Sequence, residues 1–491
     1  MNKLTSLRRL LPAAALVLLL ALLAPMFLLG RYAVPGADDY TYGAAAYHAL
    51  RAGAPAWRAI PAAAGVARDA WFDWQGTFSA IFLMALQPAV FADGLYALTP
   101  CIMLFFLLLG IFSLNRALYA DAFGMPRGDA AVLSCALCLL CTQLLPSPVQ
   151  AFFWYNGAVY YVVYFGLSLA AMALAIRLVR RGGAGRTLLL SLLAVFLGGG
   201  NYVTALHCAI LGVTALVLTA LCRTPGRRRL WLPVLLLLAA FLFSIAAPGN
   251  AVRQASIRPG PGPAASVLLS FRLAARYALG WFTLPFAAVM IALAVFLWPH
   301  AKRADFSFRF PAPVTGYSFC LLSAMFTPPV YASGTPGDLR LVNIIYFAFV
   351  CLFALNLFYW LGWAARRRRE GKLLRSRVFE RFRSIKAAPA VLSIFLALFV
   401  GFSFLLYLRH DGLTSPGALG LMRSGEAQAF RACADRRLEV LEDPQIRDAE
   451  LEPFPSQPYL LYFDDIAEDP EEWINVAMSR YYGKDSVRLA P

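Results

Sequence analysis

Acid is scarce in this chain. Its 491 residues hold 44 Lys and Arg against 27 Asp and Glu, and neither Asp nor Glu occurs between Asp129 and Asp305. A proton relay through a membrane needs intramembrane carboxylates, so this gap argues against a proton-coupled transporter. Charge of either sign is sparse as well, at 14% of residues, beside 60% hydrophobic residues and a mean hydropathy of +0.63. That balance excludes a soluble globular domain. Nine cysteines form no disulfide framework. Cys135, Cys138 and Cys141 recur in an apolar run as small hydrophobes, and Cys433 stands alone in an acidic segment. His48 and His410 have no metal-ligand spacing around them, and His207 reads as a packed or hydrogen-bonded histidine.

What is present is apolar and unevenly charged. Residues 1–408 carry 35 basic and 11 acidic residues (net +24), whereas 409–491 carry 9 and 16 (net −7). The basic excess sits in short loops between apolar runs, the pattern of cytosolic loops, so no nucleic-acid partner is expected. Runs near the roughly 20 residues that span a bilayer fall at 10–30, 95–118, 130–146, 157–177, 187–222, 230–247, 278–298, 312–330, 341–363 and 388–408. The run 187–222 is long enough for two helices, broken at Gly198-Gly199-Gly200-Asn201. The chain therefore reads as an all-α polytopic membrane protein of about 11 transmembrane helices, with the lipid bilayer as a partner. Residues 10–30 follow Lys3, Arg8 and Arg9 without a clear small-x-small cleavage site, and predict a retained signal-anchor helix. Under this count every arginine cluster falls on one side with the N-terminus, which places both in the cytosol and the C-terminal segment outside. The strongest cluster, residues 366–386, has ten basic and two acidic members. Within it, 379–386 reads as a basic loop that fixes orientation rather than an amphipathic surface helix.

Two domains follow: a transmembrane body, 1–408, and a small α+β outer domain, 409–491. In the first outer loop, 31–92, residues 44–60 and 71–86 predict short interfacial helices, with Trp57, Trp71, Phe72, Trp74 and Phe78 suited to the membrane surface. The outer domain predicts a strand at 458–463 and a helix at 469–481. With about eighty residues it is small enough to need the membrane part as support.

Against this background Asp38 and Asp39, inside Gly36-Ala37-Asp38-Asp39-Tyr40-Thr41-Tyr42-Gly43, stand out. Adjacent carboxylates are costly beside apolar surface, which suggests a site. The other acids open to an outer cavity in the body are Asp69, Asp73, Asp93 and Asp338. Arg253 follows Ala247-Pro248-Gly249-Asn250, and Arg340 follows Gly337-Asp338, also on the outer side; Arg258, Arg272 and Arg276 share the region of Arg253. The positive-inside rule disfavours arginine there, and a bidentate phosphate partner explains it. Lipid headgroups, or a carboxylate such as Asp338, explain it as well. Phe152-Phe153-Trp154-Tyr155-Asn156-Gly157 and Tyr160-Tyr161 suit stacking on a sugar, or an interfacial aromatic belt. Asn156, Asn201 and Asn250 each sit beside Gly at an outer helix break.

Together these residues resemble the GT-C superfamily of membrane glycosyltransferases, which take sugars from polyprenyl-phosphate carriers. The resemblance rests on Ala37-Asp38-Asp39-Tyr40, the amphipathic helices after it, about 11 spans and a C-terminal outer domain. It looks closest to an uncharacterised bacterial branch with a Trp-Tyr-x-Gly segment, matched by Trp154 to Gly157. That branch also has a Pro-Gly-Asn-x-x-Arg segment, matched by Pro248 to Arg253. Its aromatic C-terminus is like Trp473-Ile474-Asn475 and Tyr481-Tyr482-Gly483. Many of its members carry a glutamate near the Gly-rich break where this chain has Asn201-Tyr202.

The resemblance implies Asp38 as general base, with Asp39 orienting the acceptor or assisting through a second hydrogen bond. Arg253 and Arg340 would hold the donor phosphate, and Tyr40, Trp154, Tyr155, Asn156, Asn201 and Asn250 the substrate. Transfer of a hexose or pentose would invert the anomeric centre. The donor would be a polyprenyl-phosphate-linked sugar, and the acceptor an envelope glycan, lipid or protein outside a bacterial inner membrane. A divalent metal, Mg or Mn, is compatible with such chemistry without being required. The competing readings are a transporter or flippase for a lipid-linked glycan, and a non-catalytic envelope assembly protein.

Overall fold

A computed structural model describes residues 2–370, 388–407 and 413–490. Helix dominates, because a backbone in lipid must satisfy its own N–H and C=O groups within the segment. Among the described residues seven helical segments are long and apolar enough to cross a membrane: Leu10–Tyr32, Asp93–Ala122, Tyr155–Arg181, Tyr202–Leu221, Arg227–Ile245, Leu284–Arg303 and Leu339–Arg369. This is the composition of an all-α membrane protein. Helices Arg127–Gln143, Ala184–Gly198, Pro311–Ser333 and Ala388–Tyr407 occupy the other apolar runs. Leu339–Arg369 is central, with two thirds of its apolar window buried (67%), against 28% for the peripheral Leu10–Tyr32.

The break expected in 187–222 is present. Ala184–Gly198 stops, and Asn201 caps Tyr202–Leu221 by accepting the Thr204 N–H at 2.8 Å. A further helix, Pro263–Gly280, was not expected, because Arg272 and Arg276 interrupt its hydropathy. It packs on Pro311–Ser333 through buried Ser266, Ser270 and Ala274. The run expected at 278–298 starts its helix only at Leu284-Pro285, where proline suits the first turn, and continues to Arg303.

Between the first two spans lie three helices where two were read at 44–60 and 71–86: Asp38–Arg51, Ala59–Asp73 and Phe78–Met84. The C-terminal part holds helices Thr414–Arg423, Glu426–Glu442 and Trp473–Tyr482. Its strands Asp448–Leu451 and Ser486–Leu489 pair in parallel, with Asp448 opposite Ser486. The expected strand at 458–463 is instead a turn, with the Leu461 and Tyr462 N–H groups both donating to Pro458 O at 2.8 Å. Phe463 packs on Trp154 of the body and Tyr462 on Phe454, rather than pairing in a sheet. This domain rests directly on the first loop. The Tyr47 and Tyr481 rings stack 4.1 Å apart, a ring nitrogen of His48 lies 2.9 Å from Arg480 O, and Arg431 pairs with Asp93. Residues 379–386 and His410 lie outside the described residues.

Candidate functional site

Asp38 and Asp39 open a helix, where the backbone dipole favours negative charge. Ala37 before them is buried with φ 50°, an uncommon conformation that costs on the order of 1–3 kcal/mol and re-aims the chain at this point. The two carboxylates then diverge. Asp39 is fully buried, and its Oδ2 accepts from the Gly36 N–H at 3.0 Å and the Tyr96 hydroxyl at 2.6 Å. Its Oδ1 accepts from the Asn156 N–H at 3.0 Å. Burial is the largest influence on this carboxyl and lifts it to about 7, against the pull of these three hydrogen bonds.

Asp38 faces a cavity of about 320 Å³. Arg340 Nη1 lies 3.7 Å from its Oδ2. Burial raises the Asp38 carboxyl above its ordinary value, while Arg340 and then Arg253 pull it back. Around Asp38 the wall includes Tyr42, Gln75, Trp154, Asn156, Arg253 and Arg340, with Phe463 and Trp473 from the C-terminal domain.

The cavity is held open by backbone breaks. Trp154 is extended between two helical stretches, which frees the N–H groups of the next turn. Tyr155 N–H then donates to the Tyr96 hydroxyl at 2.9 Å and Asn156 N–H to Asp39. Trp154 stacks flat on Phe463 at 3.7 Å, donates Nε1–H to Gly36 O at 3.0 Å, and lies 5.0 Å beneath the Arg340 guanidinium. Gly157 makes room for that indole, since a Cβ there would be 2.1 Å from the ring. Arg340 also pairs with Asp338, leaving its buried Nε without a partner among the described residues. Both side-chain amide atoms of Asn156 are likewise buried and unpartnered.

Arg253 is placed by a second close approach. A Cβ at Gly76 would be 1.8 Å from Ser244 O, and one at Gly249 would be 2.5 Å from Trp74 N. Gly76 lets the Trp74-Gln75-Gly76 turn meet the end of helix Trp231–Ile245, and Gly249 lets that turn meet helix Gly249–Ala255. Asn250 bolts this contact, accepting from Gly76 N–H at 3.1 Å and the Tyr202 hydroxyl at 2.6 Å. Arg253 then reaches Gln75 Oε1, with Trp74 5.8 Å from its guanidinium.

The structure thus brings Asp38, Arg253, Arg340, Trp154, Asn156, Tyr160 and Tyr161 to one cavity, whereas Asp39, Tyr40, Tyr155, Asn201 and Asn250 are placed elsewhere. Asp39 is committed to the loop. Tyr40 donates to Pro35 O at 2.9 Å and packs on Tyr481 of the C-terminal domain. Tyr155 donates its hydroxyl to Leu83 O at 3.3 Å. Asn201 caps a helix and donates to Tyr160 O at 2.7 Å, and Asn250 holds the turn before Arg253. Sequence reasoning missed Tyr42 and Gln75; Tyr42 had a usable signal, lying four residues after Asp38 on the same helix face. Asp464 and Trp473 arrive from the far end of the chain.

Among the described residues no three His, Cys, Asp or Glu side chains converge as a metal site. The acids on the cavity wall are Asp38 and Asp464. A Mg or Mn ion there would have to draw most of its oxygen ligands from a substrate phosphate. His207, away from this site, is buried on the wall of a second, apolar cavity, its Nδ1 without a partner among the described residues. Fold and site define a helical membrane protein with a charged, aromatic-walled cavity between its helix ends and a small docked domain. Comparison with family models, curated proteins and solved structures finds no match.

Proposed function

We propose that the chain is a GT-C-type glycosyltransferase that moves a sugar from a polyprenyl-phosphate donor to an envelope glycan, lipid or protein. The reading includes about 11 spans in a bacterial inner membrane, an N-terminus in the cytosol, and the cavity with the C-terminal domain on the outer side. One observation carries it. A carboxylate, two arginines and the unpartnered amide of Asn156 share a cavity of about 320 Å³, the lower range of small-molecule sites. Buried polar atoms are normally hydrogen-bonded, so the Asn156 amide and Arg340 Nε suit a polar ligand.

In this reading Asp38 takes the proton of an acceptor hydroxyl as that oxygen attacks the anomeric carbon. The bond from that carbon to the phosphate oxygen breaks with inversion, and polyprenyl phosphate leaves carrying the electron pair. Arg340 and Arg253 stabilise the charge that grows on the departing phosphate. Asn156 offers its amide to the sugar, while Trp154, stacked on Phe463, holds Arg340 over its ring. Asp39 supports the reaction at a distance, by fixing the loop that aims Asp38. The test is Asp38→Asn with donor binding and sugar transfer measured separately. Lost transfer with retained binding supports catalysis. Unchanged transfer removes Asp38 as base, and glycan translocation without any transfer favours a flippase.

A further inference from the structure

A second cavity, of about 560 Å³, lies among the apolar helices of the body. Its wall is mostly carbon, with Leu169, Met172, Leu211, Val234 and Leu352 as typical members. Water finds few partners on such a wall. The volume is roughly four times that of the ~150 Å³ apolar cavity that stays dry and accepts benzene. In a bilayer the apolar matter at hand is hydrocarbon chain.

The two ends of this cavity differ. Phe165 on its wall is one helical turn from Tyr161, which lines the Asp38 cavity. Arg180 lies at the other end of the same segment, Tyr155–Arg181, about 22 Å from Phe165 at 1.5 Å per residue. Arg177 and Arg181 both pair with Asp121. Arg180 is exposed at the rim and has no ion pair among the described residues. Leu230, also on the wall, ends the short turn that carries Arg227 and Arg228.

We infer that this cavity seats acyl chains of an anionic phospholipid whose phosphate rests on Arg180. An apolar slot in the body ending at an unpaired arginine matches a lipid in both halves: chains in the slot, phosphate at the guanidinium. A zwitterionic lipid fills the slot equally well but brings its own cation to the arginine. The site is independent of the proposed transfer reaction, because Arg253 and Arg340 serve the opposite end of the helices.

The test uses the full chain, purified in detergent and stripped of lipid, with native mass spectrometry of added dioleoyl phosphatidylglycerol and dioleoyl phosphatidylcholine. The wild type is expected to prefer phosphatidylglycerol. Arg180→Gln should weaken phosphatidylglycerol roughly fivefold, the effect of one cation near a charged headgroup, and leave phosphatidylcholine unchanged. Ala215→Phe, which fills the slot, should weaken both while thermal unfolding stays cooperative. Equal binding of the two lipids by the wild type, or a preference untouched by Arg180→Gln, overturns the assignment. So does displacement of phosphatidylglycerol by polyprenyl phosphate with Arg180→Gln without effect, which gives the slot to a donor's tail.

Discussion

The Tyr96 hydroxyl donates to Asp39 Oδ2 at 2.6 Å and accepts the Tyr155 N–H at 2.9 Å. Through this one hydroxyl the first helix of the long loop is tied to the break beside Trp154, and the tie separates the adjacent carboxylates. Asp39 becomes part of the scaffold, and Asp38, one residue earlier on the helix, is left on the cavity wall.

Asp39→Asn is therefore expected to act on stability. An amide can replace one carboxylate oxygen but offers an N–H where the other accepts, so a buried donor loses its partner. The cost is about 1–3 kcal/mol, read as a lower unfolding temperature in detergent, with donor binding retained in the folded fraction.

The same pair gives a pH signature. Burial raises Asp39 from 3.8 to about 7 in the folded chain. The folded state thus holds this proton more tightly than the unfolded state. Its contribution is complete below about pH 4 and is lost as pH rises toward 7. The stability of the wild type relative to Asp39→Asn should be greater at pH 5 than at pH 8, as thermal unfolding of both at the two pH values would show.

Arg340→Gln should change two readouts together. Removing a cation that lowers the Asp38 carboxyl lets burial raise it further. Less of the base is then ionised at a given pH, so the acid limb of the pH–rate profile moves to higher pH. Donor KM should rise as well. A limb that stays in place or moves to lower pH contradicts the coupling of Arg340 to Asp38.

Trp154 joins the C-terminal domain to Arg340, stacked on Phe463 and lying under the guanidinium. An aromatic pair contributes about 0.5–1.5 kcal/mol and a desolvated cation–π contact about 2. Trp154→Leu should then lower kcat/KM roughly tenfold. Trp154→Phe keeps a ring against Phe463, loses the bond to Gly36 O, and should fall less.

Much of the helical frame was legible from apolar runs, and the break at Gly198 to Asn201 was visible in composition. Helix Pro263–Gly280 was hidden because hydropathy treats Arg272 and Arg276 as loop residues, although helix packing there depends on Ser266, Ser270 and Ala274. The aromatic run 458–463 has strand propensity, but Phe463 gains more by stacking on Trp154, a contact across some three hundred residues that no local pattern encodes. The acid pair was readable as a pair. Its division was not, because it depends on Tyr96 and the Asn156 N–H, which only the fold brings to Asp39. Gln75 carried no signal of its own; its position follows from Gly76 meeting Ser244 and Gly249 meeting Trp74.

The central claim is that Asp38 is the base of a sugar transfer, and one measurement reaches it directly. Wild type and Asp38→Asn are reconstituted in vesicles with a polyprenyl-phosphate-linked sugar and an envelope extract as acceptor, and product formation and donor binding are followed in the same samples. General-base catalysis typically contributes 10²–10⁴-fold, so transfer should fall by about that factor with donor binding and unfolding temperature unchanged. Transfer at the wild-type rate in Asp38→Asn would contradict it.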